Sequence, residues 1–221
     1  MNQTLDHSAS EAKSETKDRI LDAAEKLFAQ VGFEAASLRQ ITAEAGVNLA
    51  AVNYHFQSKE QLAQAVMVRR LKPITKARLD LLDRVEREHP EGELPLEQVV
   101  EALLRPMILA HGSPSFGKLF GRMYTEPGES MRLRMRPALE ETVTRFRAAF
   151  ERALPASSVL DRTLGLHFMI GSAAHYLAAG SLLELIAGQT LEGLSFDRVI
   201  ERLIRYTTAG LRSLAGEEKN A

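Results

Sequence analysis

The sequence predicts an all-α protein. Apolar residues recur at intervals of three and four across most of the 221 residues, which is the spacing of amphipathic helices. The breaks between these segments fall at Gly and Pro, and no segment shows β-type alternation or an Asn-Gly hairpin turn. With 45% hydrophobic and 26% charged residues, the chain has the ordinary balance of a globular protein with a sizeable core.

Composition argues against several classes of protein. The chain has no cysteine and therefore no disulfide or thiolate metal site, which suits a cytoplasmic protein. No apolar run reaches the ~18 residues of a membrane span, and the polar N-terminus lacks a signal-peptide core, so we expect no membrane partner. The net charge of −1 argues against binding DNA through a uniformly basic surface.

The N-terminal residues predict a tail followed by a helix. Residues 1–14 are polar and aperiodic, and we expect a flexible, disordered tail. The first helix is predicted from about residue 15 to Val31, with Ile20 and Phe28 on its buried face. Gly32 is expected to end it.

Residues 37–59 predict two short helices around a tight turn. Ser37 and Gln40 have the spacing of a capping box that begins the first of them. Gly46 is expected to end that helix in the left-handed conformation, and Asn48 is an N-cap for the second. Two short helices joined by a Gly-containing turn describe a helix-turn-helix, which places its second helix in the DNA major groove.

The rest of the chain predicts a long linking helix and a helical bundle. The linking helix runs from about residue 59 to 88, and Pro73 is expected to kink or interrupt it. Further helices are predicted at 95–110, 115–124, 130–154, 159–187 and 195–214. The expected division is a disordered tail, a helix-turn-helix DNA-binding domain, and a ligand-binding and dimerisation domain, at 1–14, 15–60 and 61–221.

The last two predicted helices have the composition of a helix-packing interface. Small residues are frequent between Gly165 and Gly180, which indicates that another helix packs closely there. A wide apolar stripe runs from Phe196 to Leu211 in the final helix. Burial within one subunit is the alternative to an interface between two copies.

A resemblance to the TetR (tetracycline repressor) family is carried by two runs, ILDAAEKLFAQVGFEAASLRQITAEAGV and GVNLAAVNYHFQSKEQL. It covers roughly residues 16 to 65. The resemblance implies a dimeric transcriptional regulator, most often a repressor, that a small-molecule effector releases from a palindromic DNA operator. It also implies that the last two helices pair with their mates in a four-helix homodimer interface.

The second short helix supplies the expected base contacts. Asn53 can bind adenine bidentately or bind a phosphate, and Leu49 could contact a thymine methyl. Tyr54 and His55 resemble the family's aromatic–histidine pair, although Tyr54 could instead pack on the first helix and His55 could be an ordinary surface residue. Asn48 lies at the N-terminus of this helix, where side chains meet base edges.

Other side chains of the unit are expected to bind the DNA backbone. Ser37 should contact phosphate through its hydroxyl and the helix N-terminus, and Lys59 should contact phosphate at the start of the linking helix. Arg39 could reach a guanine or a phosphate, or remain a solvated surface charge.

The bundle offers apolar and amphipathic residues for an effector pocket. In the resembled family this region encloses an apolar pocket with a few polar anchors. The candidate residues are Met107, His111, Phe116, Phe120, Met123, Tyr124, Phe146, Phe150, His167, Ile170 and Tyr176. Each of them could instead be plain core. We expect no cofactor, and a metal site built from His111, His167 and His175 is disfavoured because nothing in their spacing makes them converge.

Signals of enzymatic activity are absent from the sequence. There is no G-x-S-x-G, G-x-G-x-x-G or P-loop motif, and the adjacent Glu140 and Glu141 point to different faces of a helix. We therefore interpret the chain as a ligand-responsive regulator and not an enzyme. A structural DNA-binding protein without an effector and a small all-α enzyme stay open as alternatives.

Overall fold

The computed structural model describes the backbone of residues 2–110, 129–180, 182–191 and 193–217, with side chains from Lys13 onward and, in the second range, from Met135 onward. Within these residues all regular secondary structure is helical and there is no strand, so the predicted all-α class is confirmed. The helices are α1 (Asn2–Ala35), α2 (Leu38–Ala45), α3 (Leu49–Phe56), α4 (Lys59–Glu88), α5 (Leu96–Leu109), α6 (Glu129–Ala153), α7 (Val159–Ala179), α8 (Leu182–Ala187) and α9 (Phe196–Glu217).

The first three helices form the predicted helix-turn-helix unit and pack against the start of α4. α2 and α3 contact each other, and both contact α1. Their shared core consists of side chains that are almost completely buried, namely Ile20, Phe28, Ile41, Val52 and Phe56. These residues lie at the three- and four-residue spacings from which the helices were predicted.

The N-terminus differs from the expected disordered tail. α1 begins at Asn2, so residues 2–14 are helical and continue directly into the predicted first helix. No Gly or Pro occurs before Gly32, so once Ile20 and its neighbours anchor α1, nothing in the polar segment stops the helix from extending. Gly32 has a φ of 86° and ends the regular part of α1, as expected.

α4 is a single helix that belongs to both parts of the protein. Pro73 lies inside it on the exposed side and does not interrupt it. The helix tolerates one lost backbone hydrogen bond because Leu71, Ile74 and Leu82 are buried on both sides of the proline. The first turns of α4 contact α1 and α3, and the helix also packs on α5 and α6.

The remaining helices build the bundle around α4 and α5. α6 packs on both of these helices, while α9 packs on α5 and α7.

The predicted helix at 159–187 is two helices, α7 and α8, because the chain leaves α7 after Ala179 at Gly180, a residue with low helix propensity. The helix predicted at 115–124 lies outside the described residues. No described helix is long and apolar enough to span a membrane.

Candidate nucleic-acid interface and effector region

α3 turns one face inward and leaves the opposite face open. Val52 and Phe56, four residues apart, are buried in the core of the unit. Asn53 and Leu49 are exposed on the outer side, and the side chain of Tyr54 is 66% exposed. The outer face therefore presents an amide, an aliphatic group and a phenol, which can together contact base edges and phosphates.

The caps that were predicted for α2 and α3 are present. The Ser37 hydroxyl oxygen accepts from the backbone N–H of Gln40 at 3.2 Å, and the Gln40 side chain accepts from the Ser37 backbone N–H at 2.9 Å. The Asn48 side-chain carbonyl oxygen accepts from the backbone N–H of Ala51 at 2.9 Å. Ser37 and Asn48 thus each commit one polar atom to a cap, which limits the atoms they can offer to DNA.

Lys13 lies beside α3, and it belongs to a segment that the sequence predicted to be a flexible tail. Its Nζ is 5.2 Å from the centroid of the Tyr54 ring. A hydrogen bond and a charge interaction with Tyr54 raise the pKa of the Lys13 ammonium above its ordinary value. The helical extension of α1 gives Lys13 this position, and the absence of Gly and Pro before Gly32 was the signal that could have revealed it.

The aromatic–histidine pair lies at the same edge of α3. The His55 ring is half-buried and meets the Tyr54 ring edge-to-face, with centroids 5.1 Å apart. Tyr54 is not a core residue, but its ring does lie beside Lys13 of the first helix, so its contact with DNA stays a prediction. A groove of about 430 Å³ between α1 and α3 is lined by Lys13, Thr16, Asn48, Ala50, Ala51, Tyr54 and His55.

Of the residues predicted to contact phosphate, Lys59 is held by contacts within the protein and Arg39 is exposed to solvent. Lys59 donates from Nζ to the backbone carbonyl of Glu34 at 3.1 Å and lies 4.5 Å from the centroid of the Phe33 ring. This ammonium is therefore held at the junction of α1 and α2, close to the N-terminus of α2. The Arg39 side chain is exposed on α2.

A buried carboxylate ties α1 to α4. Glu25 is only 3% exposed, and its Oε2 accepts from Arg70 Nε at 2.7 Å and from Arg69 Nη2 at 3.1 Å. Burial alone would raise the pKa of the Glu25 carboxyl, but the hydrogen bonds from Arg70 and Arg69 outweigh it and hold that pKa below its ordinary value. Sequence spacing offered no sign of this contact, because more than forty residues separate the partners.

The predicted effector residues fall into four groups. Met107, Phe146 and Phe150 are buried in the hydrophobic core of the bundle. Ile170 and Tyr176 are half-buried on α7, and burial raises the pKa of the Tyr176 hydroxyl. His167 is exposed on α7 beside Phe168, so it is not buried with Met107, Phe146 and Phe150. The remaining candidates, His111, Phe116, Phe120, Met123 and Tyr124, lie outside the described residues.

Arg78 of α4 is a buried cation that sequence analysis did not single out. It is 8% exposed, and it donates to the Leu103 carbonyl at 2.8 Å and to the Met107 sulfur at 3.4 Å. Neither acceptor carries a charge, and no carboxylate of the described residues pairs with Arg78. Burial lowers the pKa of its guanidinium to about 10.

A groove of about 480 Å³ lies between α4 and α5, and its lining includes Ala77 but not Arg78. Its lining is mostly apolar, with arginines at the edges. Across the described ranges, no three His, Asp or Glu side chains gather closely enough to hold a metal ion.

Comparisons with known proteins identify the two halves of the chain separately. A model of bacterial regulatory proteins of the tetR family matches residues 20–66, and a model of the tetracyclin repressor-like C-terminal domain matches residues 97–210. Together they cover the helix-turn-helix and most of the bundle.

Curated relatives are similar over the N-terminal part. The uncharacterized HTH-type transcriptional regulator TtgW of Pseudomonas putida is 46% identical over 66 residues, which are 30% of this chain and 48% of TtgW. The HTH-type transcriptional regulator SrpR, also of Pseudomonas putida, is 44% identical over 66 residues, or 30% of each chain. The chain thus matches about half the length of the first relative and under a third of the second.

Solved structures are similar over nearly the whole fold. A TetR family transcription regulator from Marinobacter aquaeolei VT8 has a TM-score of 0.65 and 17% identity, with 91% of this chain and 97% of that chain covered. At this identity the likeness shows that the two proteins share a fold.

Proposed function

Because the chain belongs to the tetR family of bacterial regulatory proteins, we propose that it is a dimeric repressor that a small-molecule effector releases from a palindromic operator. The family consists of transcriptional regulators and not of enzymes. The DNA-binding part of the proposal rests on the outward face of α3. Leu49, Asn53 and Tyr54 are exposed there and are not part of the core.

On DNA, α3 lies in the major groove with Asn53 and Leu49 towards the bases. Lys13 and Tyr54 at one edge contact phosphates, while Lys59 and the backbone N–H groups at the start of α2 contact phosphates at another. Few basic groups are involved, so affinity depends on two copies binding together. The domain boundaries in this proposal are those expected from the sequence, 15–60 and 61–221, with residues 2–14 extending α1.

The dimer forms through the exposed apolar face of α7 and α9. On α7 the face includes Leu160, Leu164 and Phe168, and the Phe168 side chain is 57% exposed. On α9 it includes Tyr206, which is 71% exposed, and the small residue Gly210. The two helices pack on each other through Gly165 and Leu211, so their exposed faces form one continuous surface for a second copy.

A two-fold dimer presents two α3 helices to half-sites about 34 Å apart, which is one turn of DNA. α4 connects each of these helices to the bundle. An effector that favours a different arrangement of α4 in the bundle therefore changes the spacing of the two recognition helices and lowers operator affinity.

The experiment is selection of binding sequences from a pool of random duplexes by the full chain, followed by footprinting of the enriched duplex. The expected product is a palindrome whose half-sites lie one helical turn apart and are both protected. Enrichment of no sequence would refute sequence-specific binding, and a single unpaired half-site would refute the dimeric mode.

A further inference from the structure

The groove between α4 and α5 has a continuous apolar floor. The floor is formed by Pro73, Ile74, Ala77 and Leu81 of α4 with Pro106 and Leu109 of α5. Its volume of about 480 Å³ is within the range of small-molecule sites in proteins. A floor of this kind binds an alkyl or ring system and leaves specificity to the groups at its edges.

Arginine side chains line most of the edges of the groove. Three arginines line it, Arg70, Arg84 and Arg105, against one carboxylate, Asp80. Asp80 is already bonded to Lys76 at 2.6 Å, and Arg105 is bonded to carboxylates of Glu101 and Asp197. Arg84 makes no ion pair in the part of the chain that the structure describes, so it is available to an anion.

A second observation adds to the positive potential of the groove. Arg78 is buried behind the α4 wall, four residues after Ile74 and three before Leu81, both of which line the groove. Among the described residues, its charge is met only by a carbonyl oxygen and a thioether. A buried charge without a counter-ion is costly, and an anion placed nearby in a low-dielectric setting lowers that cost.

We propose that this groove binds an amphiphilic monoanion, with its acid group at Arg84 and its apolar chain along the floor towards Pro73 and Leu109. Charge complementarity and the apolar floor together select this occupant over a cation or a neutral chain. The inference rests on the effector part of the proposed function, which it deepens by assigning a site and a chemical class.

The far end of the groove gives the ligand a connection to the DNA-binding unit. Arg70, which lines this end, holds Glu25 of α1 through its guanidinium. Arg84 lies fourteen residues further along α4, about 21 Å away at the rise of an α-helix. A ligand chain that fills the floor up to Pro73 lies against Arg70, the residue that fixes α1 to α4. If the chain displaces this guanidinium, the Glu25 contact is weakened.

The test is titration calorimetry of the full chain with dodecanoate below its micelle concentration, with dodecyltrimethylammonium as the cation of equal chain length. We expect one dodecanoate per protomer and at least about tenfold weaker binding of the cation. Arg84→Gln should weaken dodecanoate binding about tenfold, because it removes a charge-assisted contact. Leu109→Asn should also weaken it, since Leu109 is an exposed part of the floor that can change without disturbing the core.

Arg87→Gln is the matched control. Arg87 is an exposed arginine three residues after Arg84 on α4, and it does not line the groove. The proposal is overturned if dodecanoate does not bind, if the cation binds as tightly, or if Arg87→Gln weakens binding as much as Arg84→Gln.

Hydrogen exchange measures the connection to α1 without DNA. Saturating dodecanoate should speed exchange of the α1 amides around Glu25, and unchanged exchange there would overturn the coupling. Neither measurement uses an operator. A protein that binds dodecanoate but selects no duplex would contradict the repressor proposal alone, and a protein that selects a palindrome but ignores dodecanoate would contradict this inference alone.

Discussion

Arg19 of α1 holds the end of α2 by donating two hydrogen bonds to the carbonyl oxygen of Ala45, from Nε at 3.1 Å and from Nη2 at 2.6 Å. Nη2 also donates to the carbonyl of Gly46 at 2.9 Å. These carbonyls have no partner within α2 and lie at the negative end of its dipole, so a guanidinium is well suited to them. The turn that sets the direction of α3 is therefore fixed by a residue of the first helix.

Replacing Gly46 by alanine should destabilise this turn. Gly46 has a φ of +62°, which strains any residue with a Cβ, and an added Cβ would lie 2.9 Å from Arg19 Nη2, so the guanidinium must shift and its bonds are weakened. Gly92→Ala is the control, since Gly92 has a φ of +79° but nothing within 4 Å of the added atom. We expect Gly46→Ala to lower the free energy of unfolding by about 1 kcal/mol more than Gly92→Ala in urea titrations. Equal effects would mean that the Arg19 bonds contribute nothing.

Asn53→Ala should weaken operator binding at one base position. The amide of Asn53 is exposed on the outer face of α3, and loss of a bidentate contact to adenine costs about 1–3 kcal/mol. The measurement is affinity for the selected duplex and for duplexes substituted one base pair at a time. Lys13→Ala provides the contrast, because loss of a phosphate contact should weaken all sequences alike and lower the salt dependence. Uniform weakening by Asn53→Ala would assign Asn53 to a phosphate.

Glu25→Gln should remove a pH-dependent part of the stability. The folded pKa of Glu25 lies below its ordinary value of 4.5, so its contribution is present above that pH and is lost as the pH falls through the folded pKa. We expect the variant to be less stable by about 1–2 kcal/mol at neutral pH, a value reduced by the partial exposure of Arg69 and Arg70. Urea unfolding of both proteins from neutral pH down to acid should show the difference shrinking; a constant difference would contradict the assignment.

Phe168→Asp should separate the proposed dimer. A carboxylate at this position would be buried without a partner between two copies. Val143→Asp is the control, because Val143 is 61% exposed on α6, away from α7 and α9. Sedimentation equilibrium should give a monomer for Phe168→Asp and a dimer for Val143→Asp. A dimer in both variants would place the interface elsewhere.

Arg78→Met should stabilise the protein. Methionine fills a similar space and removes a buried charge that no carboxylate of the described residues compensates. We expect the free energy of unfolding to rise by about 1–3 kcal/mol at neutral pH, whereas Arg78→Ala leaves a cavity and lowers it.

The pH dependence of this comparison provides its check. Burial lowers the pKa of Arg78 to about 10, so above that pH the unfolded chain binds more protons than the folded one. The wild type therefore recovers stability relative to Arg78→Met as the pH rises through about 10. A wild type that is the more stable protein at neutral pH would show that the two neutral acceptors suffice for Arg78.

Residues close together in the sequence were enough to predict the helices and the helix-turn-helix. Ser37 with Gln40, Asn48 with Ala51 and the left-handed Gly46 all act within one turn of backbone, so the types of these residues specify the caps. The spacing of Val52 and Phe56 likewise specifies which face of α3 is open. The helical state of residues 2–14 was missed because their weak polar pattern is extended as helix only by the anchored part of α1.

Contacts between distant residues were decided by the tertiary structure alone. Arg19 reaches Ala45, Glu25 reaches Arg69 and Arg70, and Arg78 lies between α4 and α5, because helix packing brings together side chains that no periodicity relates. The same packing left His167 on the outer side of α7, although its sequence neighbours suggested a pocket. Backbone hydrogen bonds and helix caps are local interactions, so they can be predicted from residues that are neighbours in the sequence. The burial of a charge and the formation of a groove depend on how whole helices pack.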